Sequence, residues 1–280
     1  MMENNPGFRC MSEFMQGLYA RHPIRGSVGG TEESIMRITA ETLYDCHRVF
    51  YHPSNMILCC VGDIEPDAVA DIAREILTNE PGEAPERDYG EPEDVLPAET
   101  YRECFMPVAS PLFFFGAKLR PEEKGRARLR QQLLAELSMD AVAGEASPFY
   151  TGLYGKGILN RRFSKGVLFG ADTRTVAMEG ESREPEKVLE ALSDAVNGIA
   201  CSGLDEAYFS RCKKAFYGAE LSALDSFGTI ASALIRGQFD GWNVLDEYAL
   251  LETLTAEDAA AFLCENLTPE RIAMSVVRPL

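Results

Sequence analysis

Apolar residues in the stretch 7–20, GFRCMSEFMQGLYA, fall at Met11, Phe14, Met15 and Leu18, a spacing that predicts a helix with one buried stripe. A glycine-rich turn, HPIRGSVGG, leads into a short helix. The pattern then predicts a helix over about 39–50, a strand over about 56–62, the turn GDIEP and a helix over about 66–77. Further on, TYRECFMP and SPLFFFGAKL read as two strands. The second carries an unbroken apolar run, which suits a central strand covered on both faces. A helix over about 122–142, a strand over about 166–178 and helices over about 185–199, 205–225, 227–237 and 242–251 follow. Strands first and helices clustered later argue for an α+β sandwich, its helices packed on one face of a mainly antiparallel sheet.

The chain also repeats itself. At a constant offset, Thr39, Ala40, Glu41 and Pro53 meet Thr255, Ala256, Glu257 and Pro269, and the apolar run Met56 to Val61 falls on Ile272 to Val277. Each copy reads as a Thr-capped helix with an acidic first turn, a proline-marked turn and a buried strand. Two related domains are therefore expected. Between them, residues 78–99 hold four prolines, two glycines and eight acidic side chains with few apolar ones, the composition of a solvated linker. That divides the chain into 1–77, the linker 78–99, and 100–280. The last is of ordinary domain size, and the first falls short of it by roughly a hundred residues. The first domain is expected to be incomplete.

Composition changes the picture mainly by exclusion. The chain is 46% apolar and 25% charged, enough to bury an ordinary core. A net charge of -17 repels phosphate backbones, so nucleic-acid binding is not expected. There is no secretory-type N-terminal pattern and no apolar run long enough for a membrane span. With eight cysteines scattered outside any Cys-x-x-Cys pair, free thiols and a cytoplasmic location are expected.

Candidate chemistry is sparse. His47 and His52 are five apart with Pro53 behind them, so they cannot share a helix face, and Cys59 and Cys60, adjacent on a strand, point to opposite sides. The second copy of the repeat lacks both histidines and has no cysteine where these stand, so the layout survives without them. A His/Cys metal-binding module remains the weakest reading. No G-x-S-x-G elbow or phosphate-binding loop occurs, and 44 acidic side chains make any single choice of catalytic carboxylate arbitrary.

The series His22-Pro23, Gly30-Thr31-x-Glu33-Ser34-Ile35, Ile38-Thr39, Tyr51-x-Pro53-x-Asn55-Met56 and Val61-Gly62-Asp63 resembles the middle of the insulinase/pitrilysin-like zinc metallopeptidases. That family includes mitochondrial processing peptidase and the core proteins of a respiratory complex. The resemblance implies two related α+β domains joined by a linker, the second catalytically inactive. It also implies a zinc ion held by an inverted His-x-x-Glu-His motif and a further glutamate from a later helix. This sequence contains no His-x-x-Glu-His. Asn5-Pro6-x-x-Arg9 is similar to the end of the family's ligand helix, which sets the third ligand before Met1, and Glu3 lies past it. No catalytic residue and no metal ligand is therefore expected in this chain, with zinc belonging to the full-length enzyme.

In the second domain, active members carry an arginine and a tyrosine that hold substrate after a serine. The corresponding stretch here is SPFYTGLYGKGILNRRF, with Tyr154 where the arginine is expected and Phe163 near the tyrosine's place. Arg161 and Arg162 are candidates for gripping a peptide carboxylate. The resemblance thus implies a C-terminal, non-catalytic portion of a zinc-dependent metalloendopeptidase, enclosing a peptide substrate in half a chamber and inactive alone. Its partner would be the half that bears the zinc motif. The alternative is a stand-alone, non-catalytic partner subunit of an active family member. Because strand 56–62 would lack neighbours, self-association through its edge is also expected.

Overall fold

The computed structural model describes residues 4–77, 82–170 and 172–280. Glu3 and the first part of the acidic linker, 78–81, lie outside the described residues. The chain opens with α1 (Pro6–Leu18), which starts where the Asn5 side chain accepts hydrogen bonds from Gly7 N at 3.0 Å and Phe8 N at 3.1 Å. Three helices follow: α2 (Glu32–Met36), α3 (Ala40–Phe50) and α4 (Pro66–Ile76). In the second unit come β1 (Tyr101–Met106), β2 (Leu112–Leu119), α5 (Arg126–Ala143), α6 (Pro148–Gly155), β3 (Ser164–Phe169) and β4 (Arg174–Glu181). They are followed by α7 (Pro185–Ser202), α8 (Glu206–Ala223), α9 (Phe227–Asp240), α10 (Val244–Thr253), α11 (Ala256–Asn266) and β5 (Ile272–Pro279).

The five strands form one sheet in the order β1-β5-β2-β4-β3, antiparallel throughout except for the parallel pair β1 and β5. The uninterrupted apolar run of β2 sits in the middle strand, and its physical reason is visible. Phe113, Phe115, Ala117 and Leu119 face the large core shared with α5, α7, α10 and α11, while Phe114 faces a second, smaller core on the opposite side. A strand buried on both faces is apolar over most of its length, and the one charge in β2, Lys118, is buried against Glu93. The second core is made by α1. Its stripe of Phe14, Met15 and Leu18, with Met11 at the margin, packs on Phe114, Ala177, Ala273 and Val277. The helices of the second unit thus occupy one sheet face, as expected, and a helix from the first segment covers the other.

One polar cross-link sits inside the smaller core. Ser275 Oγ donates to Cys10 O at 2.7 Å, which satisfies a buried hydroxyl and fixes the register of α1 on β5.

Three expectations are corrected. The single strand over 166–178 is two strands, β3 and β4, because the chain reverses between them and Gly170 N donates to Thr173 O at 2.9 Å. The stretch 148–155, read without a helix, forms α6, started by Pro148 and capped by Ser147 Oγ, which accepts from Tyr150 N at 3.0 Å. Its glycines had obscured the helical spacing. Finally, residues 56–61, expected as a strand, belong to no strand ladder among the described residues.

A carboxylate cluster joins the outer helices. Burial, then the neighbouring Glu220 and Glu247, push the Glu136 carboxyl on α5 up to about 7; burial and then Glu220 do the same to Glu247 on α10, while Arg236 on α9 opposes both. A raised folded-state value means that the fold favours the protonated acid. Its contribution is full below the ordinary 4.5 and is lost as pH rises through about 7. Glu136→Gln is therefore expected to stabilise the protein at pH 8 by about 1–2 kcal/mol, a value discounted for partial solvent access, and to change little at pH 4.5. Urea denaturation at the two pH values reads this directly.

Candidate functional site

Between Ala20 and Leu77 no residue is buried, although the segment carries two of the chain's amphipathic helices. Leu43, Tyr44 and Phe50 of α3, Ile72 and Ile76 of α4, and Met56 and Leu58 between them all stand in solvent. Local chemistry accounts for the elements themselves. Thr39 Oγ1 accepts from Thr42 N at 3.2 Å to start α3, as Thr255 Oγ1 accepts from Asp258 N at 3.1 Å to start α11. The two copies of the repeat therefore share their caps, and they differ in what surrounds them. Leu58 is 67% exposed where its counterpart Met274 is 3% exposed, and Met56 is 55% exposed where Ile272 is 4% exposed. In the second copy those side chains lie in β5, flanked by β1 and β2. Segment 56–61 has the apolar side chains of β5 without, among the described residues, its two neighbours.

The linker ties this segment to the second unit. Glu93 accepts from the backbone N–H groups of Ala20 (2.8 Å), Arg21 and His22, and it pairs with Lys118 Nζ of β2 at 3.2 Å. Both side chains are buried, and the Lys118 ammonium also lies over the Tyr19 ring. Burial alone would raise the Glu93 carboxyl, but three N–H donors and the ammonium outweigh it and hold the group at about 2. Nothing in the sequence distinguished Glu93 from the seven other acidic residues of the linker, since its role depends on where the end of α1 arrives.

The four substrate-contact candidates fall close in sequence on one edge of the second unit. Tyr154, at the end of α6, is exposed and stacks on Tyr150 with ring centroids 5.6 Å apart. Arg161 and Arg162 are exposed in the turn before β3, where Arg162 Nη1 reaches Glu181 Oε2 at 2.9 Å. Phe163 turns inward and packs against Phe149 and Tyr150, with centroids at 5.9 and 5.8 Å.

The sequence profile of the peptidase M16 inactive domain matches residues 37–216, more than half of the chain. The chain belongs to the peptidase M16 inactive-domain family. It is 30% identical over its whole length to the uncharacterized zinc protease YmfH of Bacillus subtilis (strain 168), of which it spans 66%. Among solved structures it is similar to an M16-like peptidase from Alicyclobacillus acidocaldarius, at 27% identity and a TM-score of 0.92, over 100% of this chain and 67% of that one. It also shares the fold of a peptidase M16 inactive domain from Pseudomonas fluorescens, at 18% identity and a TM-score of 0.83, with the same coverage.

A zinc-protease relative raises the question whether the residues of this M16 inactive-domain chain suit a zinc ion. They do not. His22 Nδ1 accepts from Ile24 N at 3.1 Å, which leaves its proton on Nε2 to meet the Asp172 carboxylate at 3.1 Å. His47 stacks flat on Tyr51, and His52 Nδ1 caps the short turn at Ser54. Each imidazole thus has its own local partner. Among the described residues no group of three His, Cys, Asp or Glu side chains converges as metal ligands. The His47/His52/cysteine module is set aside on that donor geometry.

Proposed function

We propose that the chain is the non-catalytic portion of a zinc-dependent metalloendopeptidase, completed by a partner half that carries the zinc motif. The observation that carries this reading is the contrast between the two copies of the repeat. Exposed apolar side chains at 56–61 correspond to buried ones in β5, and β5 is enclosed by one parallel and one antiparallel strand. A partner half that supplies two such strands would bury this segment and the apolar faces of α3 and α4. The zinc-protease relative, of which the chain spans 66%, supports that reading. In the joined molecule this chain would form half of a chamber around a peptide substrate. Tyr154, Arg161 and Arg162 would present donors to the peptide, with Phe163 fixing their loop from beneath. Eight free thiols support a cytoplasmic location.

The test is reconstitution. The purified chain is mixed with the separately expressed zinc-motif segment of the Bacillus subtilis relative, and hydrolysis of an unfolded peptide is followed with and without a chelator. A one-to-one complex that cleaves only when both parts and zinc are present is expected. Zinc-dependent cleavage by this chain alone would overturn the proposal. Light scattering at tens of micromolar addresses the second reading: a stable dimer that refuses the zinc-motif segment would favour a stand-alone subunit covering its strand edge with a second copy.

A further inference from the structure

Away from the substrate-contact candidates, a cavity of about 640 Å³ opens between β3, the turn leading to β4, and the end of α9. Its charges are one-sided. Arg87 from the linker, Lys124 from the loop before α5, Arg174 at the start of β4 and Arg236 of α9 line it against the single carboxylate of Asp240.

That carboxylate is already engaged. Arg128 Nη1 lies 3.1 Å from Asp240 Oδ1, and Arg174 Nη2 lies 3.7 Å from Oδ2, so two guanidinium groups reach the same carboxylate, and Asp172 also acts on Arg174. Arg174 is 2% exposed. Its Nη1 donates to the carbonyls of Gly170 and Thr173, its plane lies 5.1 Å over the Phe169 ring, and its Nε has no acceptor. A buried guanidinium with an unused donor is costly to fold around unless something arrives to use its charge.

Among the described residues, the other cations meet neutral groups or carboxyls raised by burial. Lys124 Nζ donates to Phe239 O at 3.0 Å, and Arg87 Nη2 donates to Asn55 Oδ1 at 2.9 Å; neither contact cancels a charge. The carboxyls that Arg236 faces, Glu136 and Glu247, are both pushed up to about 7 by burial and then by Glu220. Apolar side chains line the same cavity beside the cations: Val167, Leu168, Phe169 under the Arg174 guanidinium, and Phe239, whose carbonyl holds Lys124. The chain's overall negative charge disfavours polyanions. A small anion attached to an apolar group matches both kinds of lining at once.

We propose that this cavity binds a carboxylate carrying an apolar side chain, as at the C-terminus of a peptide ending in leucine. The carboxylate would take the place between Lys124, Arg174 and Arg236, where fork-like donors suit its two oxygens, and the side chain would lie on Phe169 and Phe239. The inference concerns this chain alone and does not rest on the reconstituted peptidase.

Calorimetric titration of the full chain at low ionic strength tests it, using N-acetyl-phenylalanyl-leucine as the free acid and as the C-terminal amide, with acetate and inorganic phosphate as separate arms. The acid is expected to bind at least tenfold more tightly than the amide and than acetate. Lys124→Gln and Arg236→Gln should each weaken it at least threefold, Lys124→Gln without lowering the melting temperature, whereas Arg236→Gln also removes the cation facing Glu136 and Glu247. Arg174→Gln is left out because its buried charge is part of the fold. Equal binding of acid and amide, no binding of either, or unchanged affinity in Lys124→Gln would overturn the proposal. Phosphate binding as tightly as the dipeptide acid would overturn the assignment to a carboxylate with an apolar group.

Discussion

Leu58→Pro is expected to leave the isolated chain as stable as before and to abolish its assembly with the zinc-motif half. Leu58 is 67% exposed and pairs with no strand among the described residues, so proline removes no ladder hydrogen bond there. Substitutions at such a site usually change stability by under about 0.5 kcal/mol. In an assembly where 56–61 lies between two strands, the missing N–H and the proline ring would break the ladder from within, because proline is tolerated only at sheet edges. Binding should fall at least a hundredfold, and reconstituted hydrolysis should fall with it. The control is Met274→Pro at the equivalent position of the second copy. There the strand is already enclosed by β1 and β2, so the isolated chain should fail to fold. Urea denaturation of both variants, followed by sedimentation with the zinc-motif segment, separates the outcomes. If Leu58→Pro assembled normally, segment 56–61 would not be the strand that the partner encloses.

Glu93→Gln is expected to cost about 3 kcal/mol, the usual scale for removing one member of a buried charge pair. The loss has two parts. Lys118 would stay buried without its counter-ion, and the amide would offer one oxygen where three backbone N–H groups and an ammonium now converge. The pH dependence supplies an independent reading. Because the folded-state carboxyl is depressed to about 2 from an ordinary 4.5, its stabilisation is fully present above about 4.5 and is lost as pH falls toward about 2. The gap in stability between wild type and Glu93→Gln should therefore be wide at pH 7 and narrow progressively below pH 4.5. A gap independent of pH would show that the residue acts through shape alone. Since Glu93 holds the backbone at 20–22, the variant should also loosen α1 at its C-terminal end, which amide hydrogen exchange at Tyr19 and Arg21 would register.

How much of this was legible beforehand depends on whether the cause was local. Helix caps at Thr39 and Thr255, the stripe on α1 and the unbroken run in β2 were all readable, because each is set by residues within one or two turns or by the two faces of one strand. The stretch 147–163 could be singled out, but its division into outward Tyr154, Arg161 and Arg162 and inward Phe163 could not, since α6 was hidden by its glycines. The basic cavity left no sequence signal at all. Its four cations come from positions 87, 124, 174 and 236, and only the packing of β3, β4 and α9 brings them together.

The sequence by itself determined the repeat, the α+β class, the helix caps at Thr39 and Thr255 and the absence of an inverted zinc motif, because these follow from spacing and residue type along the chain. Only the tertiary structure decided that α1 covers the second face of the sheet, that Glu93 is drawn into a buried pair, and that 56–61 joins no strand ladder among the described residues while its twin is enclosed. Burial and pairing depend on what else occupies the neighbouring space, so two segments with the same local code can have opposite surroundings.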